Sequence, residues 1–155
     1  MIKVGGMIEV EHLTLYRFSD LMDKPGTAAQ ILKFFGAQKL NLEYITETGA
    51  SVGTAAMTIC VTKNTGVKID NFLKDNLELK KSMHIVKTEN VCIIGVYGPH
   101  FREKPAIAST FCALIANAGV NILSLASSIS SISCVINASE LEAAKKALLK
   151  YFNLP

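Results

Sequence analysis

The dipeptide Lys24-Pro25, in the stretch DKPGTAAQIL from Asp23 to Leu32, returns as Lys104-Pro105 in EKPAIASTFC, Glu103 to Cys112. Asn41 returns as Asn121 at the same offset of 80 residues. The correspondence runs without a gap from Leu13/Ile93 to Leu42/Ile122. It then slips, because Ile59-Cys60-Val61 matches Ser133-Cys134-Val135 at an offset of 74, so the first copy carries six extra residues near ETGASVGT. A tandem repeat constrains the fold more than any local pattern, since both copies must close around the same topology. The helical pattern repeats as well. Ala28, Ile31, Leu32 and Phe35 sit at i, i+3, i+4 and i+7, one apolar helix face, and Ala108, Phe111, Cys112 and Ile115 restate it.

Each copy reads in the same order. The first offers a strand over Val10–Phe18, a helix from Pro25, a strand from Leu40 to Thr48 and another from Thr54 to Thr62. A helix over Val67–Leu79 follows, with Ile69, Phe72, Leu73 and Leu77 inward, then a short strand, Met83–Thr88. The second copy offers strands at Val91–Val96, Val120–Ser127 and Ser130–Asn137, with helices over Pro105–Ala118 and Glu140–Phe152. Ser139 and Glu142 read as a capping box at the start of the last helix. Strand-helix-strand twice over is the ferredoxin-like βαββαβ order, an α+β fold. The second copy ends at Asn153-Leu154-Pro155 without its sixth element, and an unpaired sheet edge is a liability. The spare segment Ile2–Val4 is expected to fill it. The domains are therefore read as 9–89, and 90–155 together with 1–6.

Half the residues are hydrophobic and 19% are charged, so a packed core is within reach. Net charge is only +3 with lysines and arginines scattered, which argues against nucleic acid as a partner. An RNA-binding version of the fold stacks bases on aromatics of its central strands, and MTICVT and SISCVI contain none. No apolar stretch approaches the ~20 residues of a membrane span, and MIKVGGMIEVEHL lacks a signal-peptide core. Cys60, Cys92, Cys112 and Cys134 show neither a CxxC spacing nor a local histidine, and each lies in an apolar run. They read as free thiols of a reduced, cytoplasmic protein with no metal and no cofactor. His100 and Arg102 near a helix start suggest an acylphosphatase-like enzyme, but nothing pairs a nucleophile or base with them. The reading is a solvated loop, with no catalytic residues.

The stretch DKPG carries more chemistry. Pro25 suits the first helical position, where its missing N–H costs nothing. Gly26 allows a ligand close to the backbone. Free first-turn amides, the helix dipole and Lys24 together favour a carboxylate, while Asp23 offers itself to an amino group. A plain strand-to-helix turn explains the same residues, and on the motif alone both readings stand.

A strand, then DKPGTAA, a helix and LNLEYI resembles the ACT domain, an amino-acid-sensing module. The second copy, IGVYGPHFREKPAIASTFCALIANAGVNILSLASSISSIS, resembles the second of the paired ACT domains in the regulatory region of aspartate kinase. The resemblance covers nearly the whole chain. It implies a homodimer, an amino-acid effector bound between ACT domains of two chains, and control of an amino-acid biosynthetic enzyme such as a separate aspartate kinase catalytic chain. Carried over by position, the effector would meet Asp23, Lys24, Pro25, Gly26, Thr27, Ala28, Asn41, Glu47, Asn121, Ile122 and Ser127. This sequence departs from the family pattern at Glu47, where glutamine is usual, at Gly53–Met57, which reads GTAAM rather than GTTDI, and at Ala106, where glycine is usual. The identity of the effector is therefore open, and the first copy, which keeps its glycine, is the expected binding site. The other implied readings are a regulatory subunit or fragment of aspartate kinase, and a ligand-free dimerisation scaffold.

Overall fold

The structure, a computed structural model, describes residues 1–22, 27–49, 54–99 and 101–155, with the backbone alone at 20–22, 27, 28, 49, 54 and 102. The chain forms two compact units. The first unit is Leu13–Glu89, and the second is Met1–His12 together with Asn90–Pro155. Two long strands, β2 (Gly6–Met22) and β5 (His84–Tyr97), run through both boundaries. The sequence reading separates Met83–Thr88 from Val91–Val96, whereas the chain continues as one strand through Glu89 and Asn90. It does so by placing Asn90 in the left-handed region at φ 54°, and β2 does the same at His12, φ 61°. Asparagine and histidine are among the side chains that tolerate this conformation best.

In the first unit, the chain adds α1 (Thr27–Ala37), β3 (Tyr44–Gly49), β4 (Thr54–Thr62), α2 (Lys63–Asp75) and α3 (Leu77–Lys81). The strands lie in the order β3-β4-β2-β5. β4 is antiparallel to both neighbours, with Ile59 opposite Tyr16 on β2 and Ile45 on β3. Met57, Ile59 and Val61 alternate along β4, and Tyr16 and Phe18 along β2, presenting one face to the helices. Ile31 and Phe35 of α1 and Ile69 and Leu73 of α2 close the core over it. The helix starts earlier than the apolar stripe suggests, because Thr62 caps it through the Thr65 amide. It ends at Asn76, where φ −127° and ψ 64° break the turn, so Leu77 starts a separate short helix and stands exposed rather than inward. Tyr16 is fully buried, and its hydroxyl lies 2.7 Å from Asp70 Oδ1 and 3.0 Å from the Gly66 carbonyl oxygen. Gly66 leaves room for that hydroxyl, which would sit 3.2 Å from an added Cβ.

The second unit uses α4 (Ile107–Asn117), β6 (Ser124–Ser127), β7 (Ser131–Asn137), α5 (Leu141–Leu149) and two two-residue strands, β1 (Ile2–Lys3) and β8 (Phe152–Asn153). Its strands lie in the order β2-β5-β7-β6, so the N-terminal chain supplies an outer strand of this sheet. The part that does so is Gly6–His12, held at one end by the Gly5 amide donating to the Tyr97 carbonyl at 2.6 Å. The Lys145 ammonium approaches Glu9 at 3.3 Å, a surface pair of small energetic weight. Ile2–Lys3 instead pairs in parallel with Phe152–Asn153, and Phe152 is buried in the core beside Val4. Ile94, Val96, Phe111, Ile115, Ile132 and Leu148 make up the centre of that core. The expected capping box does not form. Ala138–Glu140 turn as a short 3-10 helix, so α5 starts at Leu141 behind Glu140, with no side-chain cap.

The duplication shows in the helix ends. Leu40 N–H donates to the Phe35 carbonyl at 2.8 Å, and its counterpart Val120 N–H donates to Ile115 at 3.2 Å. Each bond closes a Schellman turn over one left-handed residue, Lys39 at φ 53° in the first copy and Gly119 at φ 75° in the second. Glycine holds this conformation without the Cβ clash that lysine accepts. Lys39→Gly is therefore expected to stabilise the protein by about 0.5–1 kcal/mol, and Gly119→Lys to destabilise it by about 1 kcal/mol. Urea denaturation midpoints check both signs.

Candidate functional site

The residues expected to meet a ligand in the first copy divide sharply. Asp23, Lys24, Pro25 and Gly26 lie outside the described residues. Thr27 and Ala28 open α1, described by their backbone. Asn41 lies in the exposed turn before β3, and Glu47 is exposed on β3 opposite Met57.

In the second copy, the structure places a cavity of about 200 Å³ at the equivalent position. One wall is the approach to α4, with Phe101, Lys104, Pro105, Ile107 and Ala108. The other is the β6–β7 hairpin, with Ser127, Ser128, Ile129, Ser131 and Ile132. Lys104, Pro105 and Ala108 are the repeat counterparts of Lys24, Pro25 and Ala28. Of the eleven residues carried over from the resemblance, Ser127 lines this cavity. Asn121 is exposed and Ile122 packs against the second core, both in the segment between α4 and β6 and apart from the cavity's described lining. The other lining residues escaped the sequence reading, although the 80-residue offset pointed to three of them.

Local chemistry explains the shape. After β5 the chain turns at Gly98, where a Cβ would fall 2.8 Å from the Gly5 nitrogen and 3.3 Å from the Phe101 ring, so only glycine fits. Phe101–Glu103 then form a single 3-10 turn that buries the Phe101 ring. The Lys104 ammonium is steadied by the Lys3 carbonyl at 3.3 Å. α4 begins behind Ala106, which gives no side-chain cap. Opposite, the Ser128 and Ser131 hydroxyls lie 2.9 Å apart and the Ser130 amide donates to Ser128 Oγ at 3.3 Å, tying the hairpin tip. The cavity is thus apolar at its base, and its described rim carries Lys104 and a row of hydroxyls. No aspartate or glutamate lines it among the described residues.

The described residues hold no group of three or more His, Cys, Asp or Glu placed to ligate a metal, and none of their helices is long and apolar enough to cross a membrane. His100 lies outside the described residues, and Arg102 is described by its backbone. All four cysteines are free. Burial pushes the Cys60 and Cys134 thiols up to about 12, and burial with Glu11 and Glu9 nearby pushes Cys92 up to about 11. Burial, then the hydrogen bond to Asp70, raises Tyr16 above the usual phenol range. The bond to Asp70 raises Lys87, whose ammonium lies 2.7 Å from Asp70 Oδ2.

Comparison with known proteins follows the fold. Residues 94–152 match the family model of the ACT domain. The chain is 24% identical over 136 residues to the aspartokinase of Corynebacterium glutamicum, covering 86% of this chain and 32% of that one. It therefore spans about a third of the length of that relative. The ligand-free regulatory subunit of aspartate kinase from Thermus thermophilus superposes with a TM-score of 0.85 at 20% identity, over 97% of this chain and 99% of that one. A structure of aspartokinase alpha and beta subunits gives 0.83 at 22% identity, over 95% and 97%. The fold is ACT-type, and the chain resembles the regulatory region of aspartate kinase.

The thiol values set a pH dependence. The unfolded chain sheds its cysteine protons near the ordinary value of 9, while the folded chain keeps those of Cys60 and Cys134 to about 12. The contribution is fully present below pH 9 and is lost as pH rises through the folded values, so unfolding midpoints should fall progressively above pH 9. At neutral pH an alkylating reagent followed by peptide mapping should modify half-buried Cys112 well before Cys60 or Cys134. Equal rates would contradict the burial described.

Proposed function

We propose that this chain is a non-catalytic regulatory module that binds a free amino acid and controls an amino-acid biosynthetic enzyme, with an aspartate kinase catalytic chain as its partner. The observation that carries the reading is the cavity at the start of α4, where Lys104 and Pro105 repeat two of the residues that suggested a carboxylate site in the first copy. A second site is proposed in the first copy around Asp23, Lys24, Pro25, Gly26, Thr27, Ala28, Asn41 and Glu47, with Asn121 and Ile122 of a second copy of the chain as further contacts.

The likeness to a regulatory subunit over nearly its full length supports control of a catalytic chain rather than chemistry by this one. A homodimer is supported by the sheet edges. β3 and β6 are outer strands, and their repeat-equivalent residues Ile45 and Leu125 are each 43% exposed. Paired edges of this kind suit association of two copies.

A ligand that binds only the folded state stabilises it by mass action, by about 2.7 kcal/mol at a hundredfold excess over Kd. For a chain of this size that corresponds to a rise in Tm of roughly 5–10 °C. A thermal-shift panel of the twenty amino acids should show such a rise for the effector. A flat panel would overturn the sensor reading in favour of a ligand-free scaffold.

A further inference from the structure

The lining of the second-unit cavity narrows its guest. Lys104 is its charged residue, Ser127 and Ser131 add hydroxyls, and Phe101, Ile129 and Ile132 supply the apolar surface. Phe101 and Ile132 are buried, while Ile129 is 67% exposed at the hairpin tip, an isoleucine left without cover beside the opening. A cationic side chain entering here would meet Lys104 and find no carboxylate among the described lining residues. An anionic side chain would bring a second negative charge to described lining residues that offer one positive partner, Lys104. Desolvating an unpaired charge is costly, whereas burying an aliphatic side chain is favourable.

We infer that this cavity takes an aliphatic α-amino acid of the size of valine or leucine, its carboxylate on Lys104 and its side chain against Phe101, Ile129 and Ile132. The inference rests on the regulatory reading and adds the ligand class. Ser127 offers a hydroxyl oxygen to the ammonium group, which a hydroxyl accepts as readily as it donates. Ala108 sits exposed on the first turn of α4, so a larger side chain at that position fills the cavity without entering the core. The charge-assisted bond to Lys104 accounts for roughly a tenfold change in affinity or more.

Isothermal titration of the full chain with valine, leucine, lysine, aspartate and leucinamide tests this, alongside the variants Lys104→Met and Ala108→Phe. Circular dichroism and a thermal melt establish that both variants fold. The expected result is leucine or valine binding at least tenfold more tightly than lysine or aspartate, with leucinamide weakened by loss of its carboxylate. Lys104→Met should weaken leucine about tenfold, and Ala108→Phe should abolish its binding. Lysine or aspartate binding as tightly as leucine would overturn the ligand class while leaving the regulatory reading intact. Leucine binding untouched by both variants would overturn the location. Absence of heat from all five probes, together with a flat panel of the other amino acids, would remove the regulatory reading itself.

Discussion

The two long strands β2 and β5 carry the architecture. Each contributes residues to both compact units, and the second unit is therefore not assembled from one continuous stretch of chain. The second unit takes its outer strand from Gly6–His12, and the segment that pairs with it begins at Asn90. Contacts of such long sequence separation close large loops, and the entropic cost of doing so is offset only when the whole sheet forms. Two ordinary side chains in left-handed conformations, His12 and Asn90, mark where each strand changes unit.

The duplicated backbone has been filled with different chemistry. The Schellman bonds at Leu40 and Val120 are equivalent, yet one turns on lysine and the other on glycine. The helix starts are also equivalent in sequence position, one preceded by DKPG and the other by EKPA. In the second copy the turn Phe101–Glu103 and the serine hairpin enclose a space beside Lys104. Ring packing differs as well. Phe34 stacks on Phe72 at 4.1 Å between the helices of the first unit, where the second copy has Leu114 in place of Phe34.

Much of this was legible because the signals were redundant. The stripe Ala28, Ile31, Leu32 and Phe35 appears twice in the sequence, and in each copy its third-turn aromatic or isoleucine, Phe35 or Ile115, lies in a core. Strand β4 is bounded residue for residue, since Thr54 and Thr62 flank a short apolar run. The failures are local competitions that a pattern does not resolve. Ser139 and Glu142 have the spacing of a capping box, but the backbone tightened into a 3-10 turn instead. Leu77 continues the apolar period of α2, but Asn76 ends the helix before the period can be used. The cavity was half legible. Its helix side follows from the repeat, while its serine side depends on a hairpin tip whose hydroxyls bond one another, a geometry with no periodic signature.

The shared strand also has a consequence for how the chain is made. During synthesis the first unit has all of its sheet partners once the ribosome has passed His84–Glu89. Gly6–His12 was made earlier and has none until Asn90 onward emerges. At roughly 5–20 residues per second, an edge containing Met7, Ile8 and Val10 stays unmatched for several seconds. The same segment carries Glu9 and Glu11, charges that discourage pairing with another nascent chain. The acidic residues within this strand thus serve the folding history of the protein as much as its finished surface.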